Sequence, residues 1–296
     1  MTRTIVITGA TSGLGLATAR LMAAEFDVRL VLACRNIDKA QSVAADIAQQ
    51  TGNTNVEAMQ LDLASLASVR KFVSDYLAKD YEPLFGLLNN AGIGDENTGK
   101  TEDGFDIVFQ TNHLGHFLLT NLLLGHMADN GRVFSVSSDM HNPPFKGFEW
   151  FGVDAAAYGD ERLASPGMRY STSKLLNLYF IYELNRRLRA AGSGIIANAF
   201  NPGYMPETNL SSNPPEKIAN VKRFAPDRWG DIDRSPRALA ELMATDVRDW
   251  ISGWFFDRSV NVVRTSELSY SEENAIDLWE RSIEMSGLEK GESPLY

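Results

Sequence analysis

Seven short apolar runs, spaced by segments of helical length, constrain what this chain can fold into more than any other feature. They are TIVITG (4–9), VRLVLA (28–33), VEAMQL (56–61), LFGLLN (84–89), RVFSVS (132–137), IIANAF (195–200) and SGWFFD (252–257). Most are apolar with little alternation, which suits strands buried on both faces of a parallel sheet. Helix-length segments lie between them near 14–25, 37–50, 65–79, 101–127, 171–190 and 235–246. Alternation repeated this often predicts an α/β chain: a doubly wound parallel sheet of about seven strands, with right-handed crossovers and helices on both faces. No linker, repeat or low-complexity tract divides the 296 residues, so residues 1–296 read as a single domain. Two segments break the rhythm, 139–169 and 204–234. Both carry prolines, glycines and aromatic residues and leave the end of a strand. Open α/β sheets bind ligands there, so both read as substrate-site segments.

The first run leads directly into TGATSGLG (8–15). Gly9, Gly13 and Gly15 permit a tight turn and let backbone N–H groups approach a pyrophosphate. The N-terminus of the next helix adds partial positive charge there. The spacing is G-x-x-x-G-x-G, but its place at the first βα junction marks a dinucleotide site of the Rossmann type. Thr8, Thr11, Ser12 and Leu14 belong to the same turn. The second run ends LACRN (32–36), with no acid to accept from a ribose 2′-hydroxyl. Arg35 stands there instead and suits a 2′-phosphate, so NADP(H) is expected in preference to NAD. In LDL (61–63), beside Leu63, Asp62 is a candidate acceptor for an adenine amine, or else the cap of the following helix. Cys34 reads as a small buried hydrophobe beside this pocket.

Charge narrows the partners. With 38 acids against 28 bases the net charge is −10, which repels nucleic acid and anionic membranes. The most lipophilic helical stretch, HLGHFLLTNLLLGHM (113–127), is too short and too polar to span a bilayer. A strand begins within a few residues of the start, with no apolar leader before it. A single cysteine forbids an internal disulfide and fits a reducing cytoplasm.

Farther along come NNAG (89–92), TNHLGHF (111–117), VSS (136–138), YSTSK (170–174) and NPG (201–203). Tyr170 and Lys174 share one face of an apolar helix. An ammonium so placed stabilises phenolate and lowers the phenol from its ordinary value near ~10. In this order and spacing, behind the glycine turn, the motifs resemble the short-chain dehydrogenase/reductase family over residues 4–210. LACRN, NHLGHF, SKLLN and the long stretch from Ser138 to Tyr170 are most similar to its retinol-dehydrogenase and protochlorophyllide-reductase-like branches. PGYMPETNL and the tail DLWERSIEMSGL lean to the latter.

The resemblance implies an NADP(H)-dependent oxidoreductase that interconverts a ketone or aldehyde and an alcohol. Its catalytic group would be Asn112, Ser138, Tyr170 and Lys174. Tyr170 would be the acid and base, and Lys174 would lower its pKa and donate to the nicotinamide ribose. Ser138, preferred by the motif to Ser137, would hold the substrate oxygen, and Asn112, through its helix carbonyl or side chain, would hold a water relaying protons to Lys174. Pro202 and Gly203 would close over the nicotinamide, with Thr208 near its phosphates or carboxamide. Asn89, Ala91 and Gly92 would serve the sheet and the adenosine ribose. His113 and His116 are expected in the core or facing another subunit. No metal is expected, since no Cys, Asp or Glu stands at ligand spacing. Homodimers or homotetramers would form through the helices holding Asn112 and Tyr170, unless the long tail covers that face.

The two irregular segments offer Phe145, Phe148, Trp150, Phe151 and Tyr158, then Tyr204, Met205, Phe224 and Trp229. They either wall a pocket for a lipophilic or aromatic small-molecule substrate or anchor the loops. Two other readings compete. A protochlorophyllide-type photoreductase has cysteines where this chain has Tyr204 and Leu176, and threonine where it has Ser138. A silent nucleotide-binding sensor typically lacks the Tyr or Lys that this chain keeps.

Overall fold

The computed structural model describes residues 2–144, 146–208, 210, 214–246 and 251–296. Seven strands form one sheet in the order β3-β2-β1-β4-β5-β6-β7. They are β1 Arg3–Thr8, β2 Val28–Cys34, β3 Val56–Gln60, β4 Leu84–Asn89, β5 Met127–Val136, β6 Ile196–Asn201 and β7 Phe255–Asp257. Every neighbouring pair is parallel. The order reverses between β1 and β4, which opens a crevice at their carboxyl ends.

Successive strand residues face opposite layers. Ile5, Ile7, Leu30 and Leu32 pack under α1 Gly13–Glu25, α2 Ile37–Thr51 and α9 Arg234–Ala244. Val6, Val31, Leu87 and Val133 face α3 Leu66–Leu77, α5 Gly115–Leu124 and α7 Met168–Ala190. Both faces of the sheet are therefore apolar, as the unalternating runs require. Helix ends follow local chemistry: Asn36 caps α2 by accepting from Lys39 N at 2.9 Å, and Ser65 caps α3 from Ser68 N at 3.3 Å.

The helix expected over 101–127 is shorter and interrupted. Asp106 caps its start by accepting from Val108 N at 2.9 Å and Phe109 N at 3.1 Å. A short α4, Ile107–Phe109, then passes through a π-helical turn, Gln110–Leu114, into α5. Gly115 is required just after that turn: a Cβ there would lie 2.5 Å from Leu63 O. Three helices went unforeseen: α6 Val153–Tyr158, α8 Pro215–Phe224 and α10 Glu272–Ser286. The first two are short and lie within irregular segments. The third follows the last strand, where no alternation calls for one.

The tail covers the outer face of α5 and α7, the face on which the family resemblance placed subunit pairing. Trp279 is 1% exposed, with its ring 5.0 Å from Phe117, 6.0 Å from Phe180 and under Arg187 at 4.7 Å. Ser282 Oγ meets His113 Nε2 at 2.8 Å, and Ser293 Oγ donates to Asn121 Oδ1 at 2.9 Å. Trp279→Ala is expected to cost about 3–5 kcal/mol in urea denaturation. Trp254, half exposed, should cost at most about 1 kcal/mol when truncated the same way.

Candidate active site

The carboxyl end of β5 and the head of α7 meet at the edge of the crevice. Ser137 and Ser138 follow β5 and point to different places. Ser137 is buried and donates to Lys174 O at 2.8 Å. Ser138 starts a 3-10 turn, Asp139–His141, accepts from Met140 N at 3.2 Å, and hydrogen-bonds the Tyr170 side chain. Lys174 is 3% exposed, lies one helical turn beyond Tyr170 and donates through Nζ to Val136 O at 3.0 Å. Its Nζ is 5.4 Å from the centre of the Tyr170 ring.

Burial governs the charges here. It holds the Lys174 ammonium down at about 8. It also raises Tyr170 above its ordinary value; the Ser138 hydrogen bond opposes this and the charge of Asp95 adds to it. The lowering of Tyr170 expected from Lys174 is therefore outweighed in the protein alone. Desolvation of a phenolate exceeds the pull of an ammonium that is itself desolvated and turned toward a carbonyl.

Asp95 was not anticipated. The head of α7 is Gly167, a left-handed residue at φ 87° with no side chain to cap the helix. Asp95, from the loop after β4, supplies that cap by accepting from Tyr170 N and Gly167 N. Arg169 ties the same loop down, donating to Asp95 O and pairing with Asp106 at 3.0 Å. Burial raises the Asp95 carboxyl, and the Tyr170 N–H opposes this. No helix-local spacing links residue 95 to residue 170, so only the folded chain shows the cap.

Asn112 lies in the π-helical turn, a local irregularity common at functional sites. Its Oδ1 accepts from Ile93 N at 2.8 Å, while Nδ2 donates to Ile93 O at 3.0 Å and Ser173 Oγ at 2.9 Å. The side chain is thus engaged in joining the β4 loop to α7, which leaves the helix carbonyl rather than the side chain for the expected water. Its backbone carbonyl faces His116 Nδ1 at 3.3 Å. His113 and His116 are both buried, as expected.

The glycine turn adopts the geometry its sequence demands. Gly9 is at φ 69°, and a Cβ there would lie 2.9 Å from Ala91 Cα. Gly13 is at φ 53°, and its missing Cβ would sit 3.1 Å from Thr208 Cγ2, which brings the 204–234 segment against the turn. A Cβ on Gly92 would sit 3.3 Å from Asn112 Oδ1 and 3.6 Å from Lys174 Nζ. Thr11 and Ser12 precede α1, and Ser12 makes no capping bond through its side chain. Pro202 and Gly203 are held against 228–230: Pro202 O accepts from Ser235 Oγ at 2.7 Å, and Tyr204 N donates to Arg228 O at 2.7 Å. Arg35 is exposed just past β2, and among the described residues no carboxylate pairs with it. Cys34 is buried below the turn, and burial pushes its thiol up.

Other expectations fall differently. Asn89 faces α5 and donates to Thr120 Oγ1 at 3.0 Å, because it occupies the strand face of Leu87. Asn90 is the side chain at the turn, donating to Thr8 O at 2.7 Å and Gly9 O at 3.3 Å. The NN doublet signalled the place but not which asparagine faced it. Leu63 and Leu14 put their side chains in the core, leaving only backbone for a ligand. Asp62 does not cap α3; it accepts from Ala64 N at 3.0 Å.

Several aromatics anchor the irregular segments. Trp150 packs edge-on to Tyr179 at 5.5 Å, Phe148 and Phe151 lie against small apolar clusters, and Met205 is in the core. Tyr204 meets Trp229 at 5.7 Å. Tyr158 and Phe224 are exposed, and α8 buries none of its residues. Phe145 lies outside the described residues.

The family model for short chain dehydrogenase matches residues 3–152. Retinol dehydrogenase 13 of Homo sapiens is 34% identical over 295 residues, 97% of this chain and 85% of its own length. Polyprenol dehydrogenase of Homo sapiens is 31% identical over 97% of this chain and 86% of its own. A crystal structure of an uncharacterized protein from Mycobacterium Paratuberculosis superposes with a TM-score of 0.73 and 34% identity, covering 96% of this chain and 93% of that one.

Acid sensitivity follows from the buried histidines. Burial holds His113 at about 3 and His116 at about 4, against an ordinary 6.5. The unfolded chain therefore binds more protons below 6.5, so the stability these rings contribute is complete above that pH and is lost as pH falls toward 4. The melting temperature should fall steadily across that window. In His113→Phe, whose ring meets Phe109, Phe117 and Phe180, the fall should be shallower.

Proposed function

The chain belongs to the short-chain dehydrogenase family, and on that premise we propose that it is an NADP(H)-dependent oxidoreductase interconverting a bulky lipophilic alcohol and its ketone or aldehyde. The observation that carries this reading is the meeting of Ser138, Tyr170 and Lys174 beside the glycine turn at the sheet's crevice. Two of the relatives are named for retinol and polyprenol, both bulky lipophilic alcohols. The exposed Tyr158 and Phe224 supply apolar surface on the two irregular segments for such a substrate.

The turn fits a dinucleotide. Its glycines leave room that side chains would fill, and α1 begins with no side-chain cap and no acid in its first turn. Gly9, Thr11, Ser12, Gly13 and Gly15, with the backbone of Leu14, would hold the pyrophosphate, while the buried hydroxyl of Thr8 would steady the turn from beneath. Arg35, free of ion-pair partners among the described residues, would take a 2′-phosphate. Asp62 and the backbone of Leu63 would border the adenine, and Ala91 and Gly92 the adenosine ribose. Pro202, Gly203 and Thr208 would cover the nicotinamide end. A reducing compartment such as the cytoplasm suits the single buried Cys34.

A bound nicotinamide supplies or takes the hydride. For reduction, Tyr170 Oη gives its proton to the substrate oxygen, and burial keeps that proton in place until then. Ser138 donates a hydrogen bond to the same oxygen; its Oγ is already oriented by Met140 N. The Lys174 ammonium, 5.4 Å from the Tyr170 ring, steadies the phenolate until a proton from solvent restores the phenol. Asn112 fixes the loop and α7 relative to each other, so these groups keep their spacing.

Tyr170→Phe should lower kcat at least about 100-fold while NADPH binding, followed by its fluorescence, survives. Turnover near the parent level in that variant would overturn the mechanism. Lys174→Ala should also abolish turnover. Arg35→Ala is expected to raise KM for NADPH about tenfold or more with little change for NADH. Equal changes would remove the 2′-phosphate assignment. A panel of retinoids, steroids and polycyclic ketones, read by NADPH absorbance, identifies the substrate class.

A further inference from the structure

His116 has no part in the chemistry above, yet its neighbours determine every bond it makes. It is 2% exposed on α5. Its Nε2 lies 2.9 Å from Thr8 Oγ1, and its Nδ1 lies 3.3 Å from Asn112 O. Thr8 Oγ1 also receives Asn90 N and Ala91 N, each at 2.9 Å. A hydroxyl accepts in two directions and donates one proton. The two backbone N–H groups fill both accepting directions, so the Thr8 proton must leave. It goes to His116 Nε2 at 2.9 Å in preference to Leu88 O at 3.3 Å. The lone pair is therefore on Nε2 and the ring proton on Nδ1, facing the Asn112 carbonyl. An imidazolium would press a third donor on Thr8 Oγ1. The titratable groups near the ring are Lys174 from α7 and His113 from the π-helical turn, and neither offers it a negative charge.

Thr8 ends β1 at the glycine turn, and through Asn90 and Ala91 it holds the β4 loop. Asn112 holds the same loop at Ile93 and reaches α7 at Ser173, next to Lys174. His116 is the only described side chain bonded to both Thr8 and Asn112. We propose that His116 is a positioning residue which, as the neutral Nδ1-protonated tautomer, couples the nucleotide turn to Lys174 through Thr8 and Asn112. The tautomer follows from the bonds alone, while the coupling rests on the nucleotide reading of the turn.

The chain has four histidines, so nitrogen NMR of the full-length protein labelled with 15N-histidine resolves the ring, assigned by its loss in His116→Gln. The expected result is a neutral Nδ1-protonated His116 from about pH 8 to about pH 5, with ring shifts that move when NADPH saturates. An Nε2-protonated ring, or an imidazolium above about pH 5, would overturn the tautomer and the coupling with it. NADPH bound with the ring unmoved would overturn the coupling. No NADPH binding at all would overturn the nucleotide reading and the coupling but not the tautomer. Thr8→Val, which removes the donated proton, should weaken NADPH binding about tenfold, with Thr8→Ser restoring it. His116→Phe should lower kcat about tenfold and displace the alkaline limb of its pH profile with the carbonyl KM unchanged. A lower melting temperature with an unmoved pH profile would mean packing alone and would count against the proposal.

Discussion

At the boundary between β1 and β4 the chain departs toward opposite edges of the sheet, and the crevice left there is what the rest of the site is built around. The glycine turn closes one wall and the loop after β4 the other. Thr8 Oγ1 joins them, taking the N–H groups of Asn90 and Ala91. Beyond that junction, Asn112 ties the loop to α7 and so relates the glycine turn to Tyr170 and Lys174. Polar side chains buried this deeply are tolerated because nearly all their bonds are made, and that satisfaction also makes them rigid.

The electrostatics favour a protein that holds protons on phenol and sheds them from lysine. Burial raises Tyr170 and lowers Lys174, so the two values move apart in the isolated chain. Asp95 strengthens the first tendency while capping the helix that carries both residues. One carboxylate thus fixes the position of Tyr170 and biases its charge. A positively charged group bound beside Tyr170 would shift this balance toward the phenolate.

The tail gives the α5–α7 pair a cover made from the same chain. Trp279 fills the space between Phe117 and Phe180, and Ser282 reaches His113 in the π-helical turn next to Asn112. A helix that would otherwise look like late decoration is therefore packed directly behind the site. Pairing of two subunits through this face would require α10 to leave it.

Much of this was legible in the residues. The unalternating apolar runs determined a parallel sheet covered on both sides, and the glycine turn determined where a nucleotide could approach, because both depend on backbone geometry and nearest neighbours. YSTSK determined that a phenol and an ammonium share one helical face. The sequence favours Ser138 over Ser137 only through the family motif and not by any local physical signal, and it points to Asn89 where the pleat, which turns adjacent residues to opposite sides, puts Asn90 at the turn. It could not show Asp95 capping α7, His116 bridging Thr8 to Asn112, or α10 lying on α5. Nor could it show that burial would outweigh Lys174 at Tyr170. Those facts belong to the tertiary structure alone, because they come from groups far apart in the chain whose meeting, and whose loss of water, is set by how the layers pack.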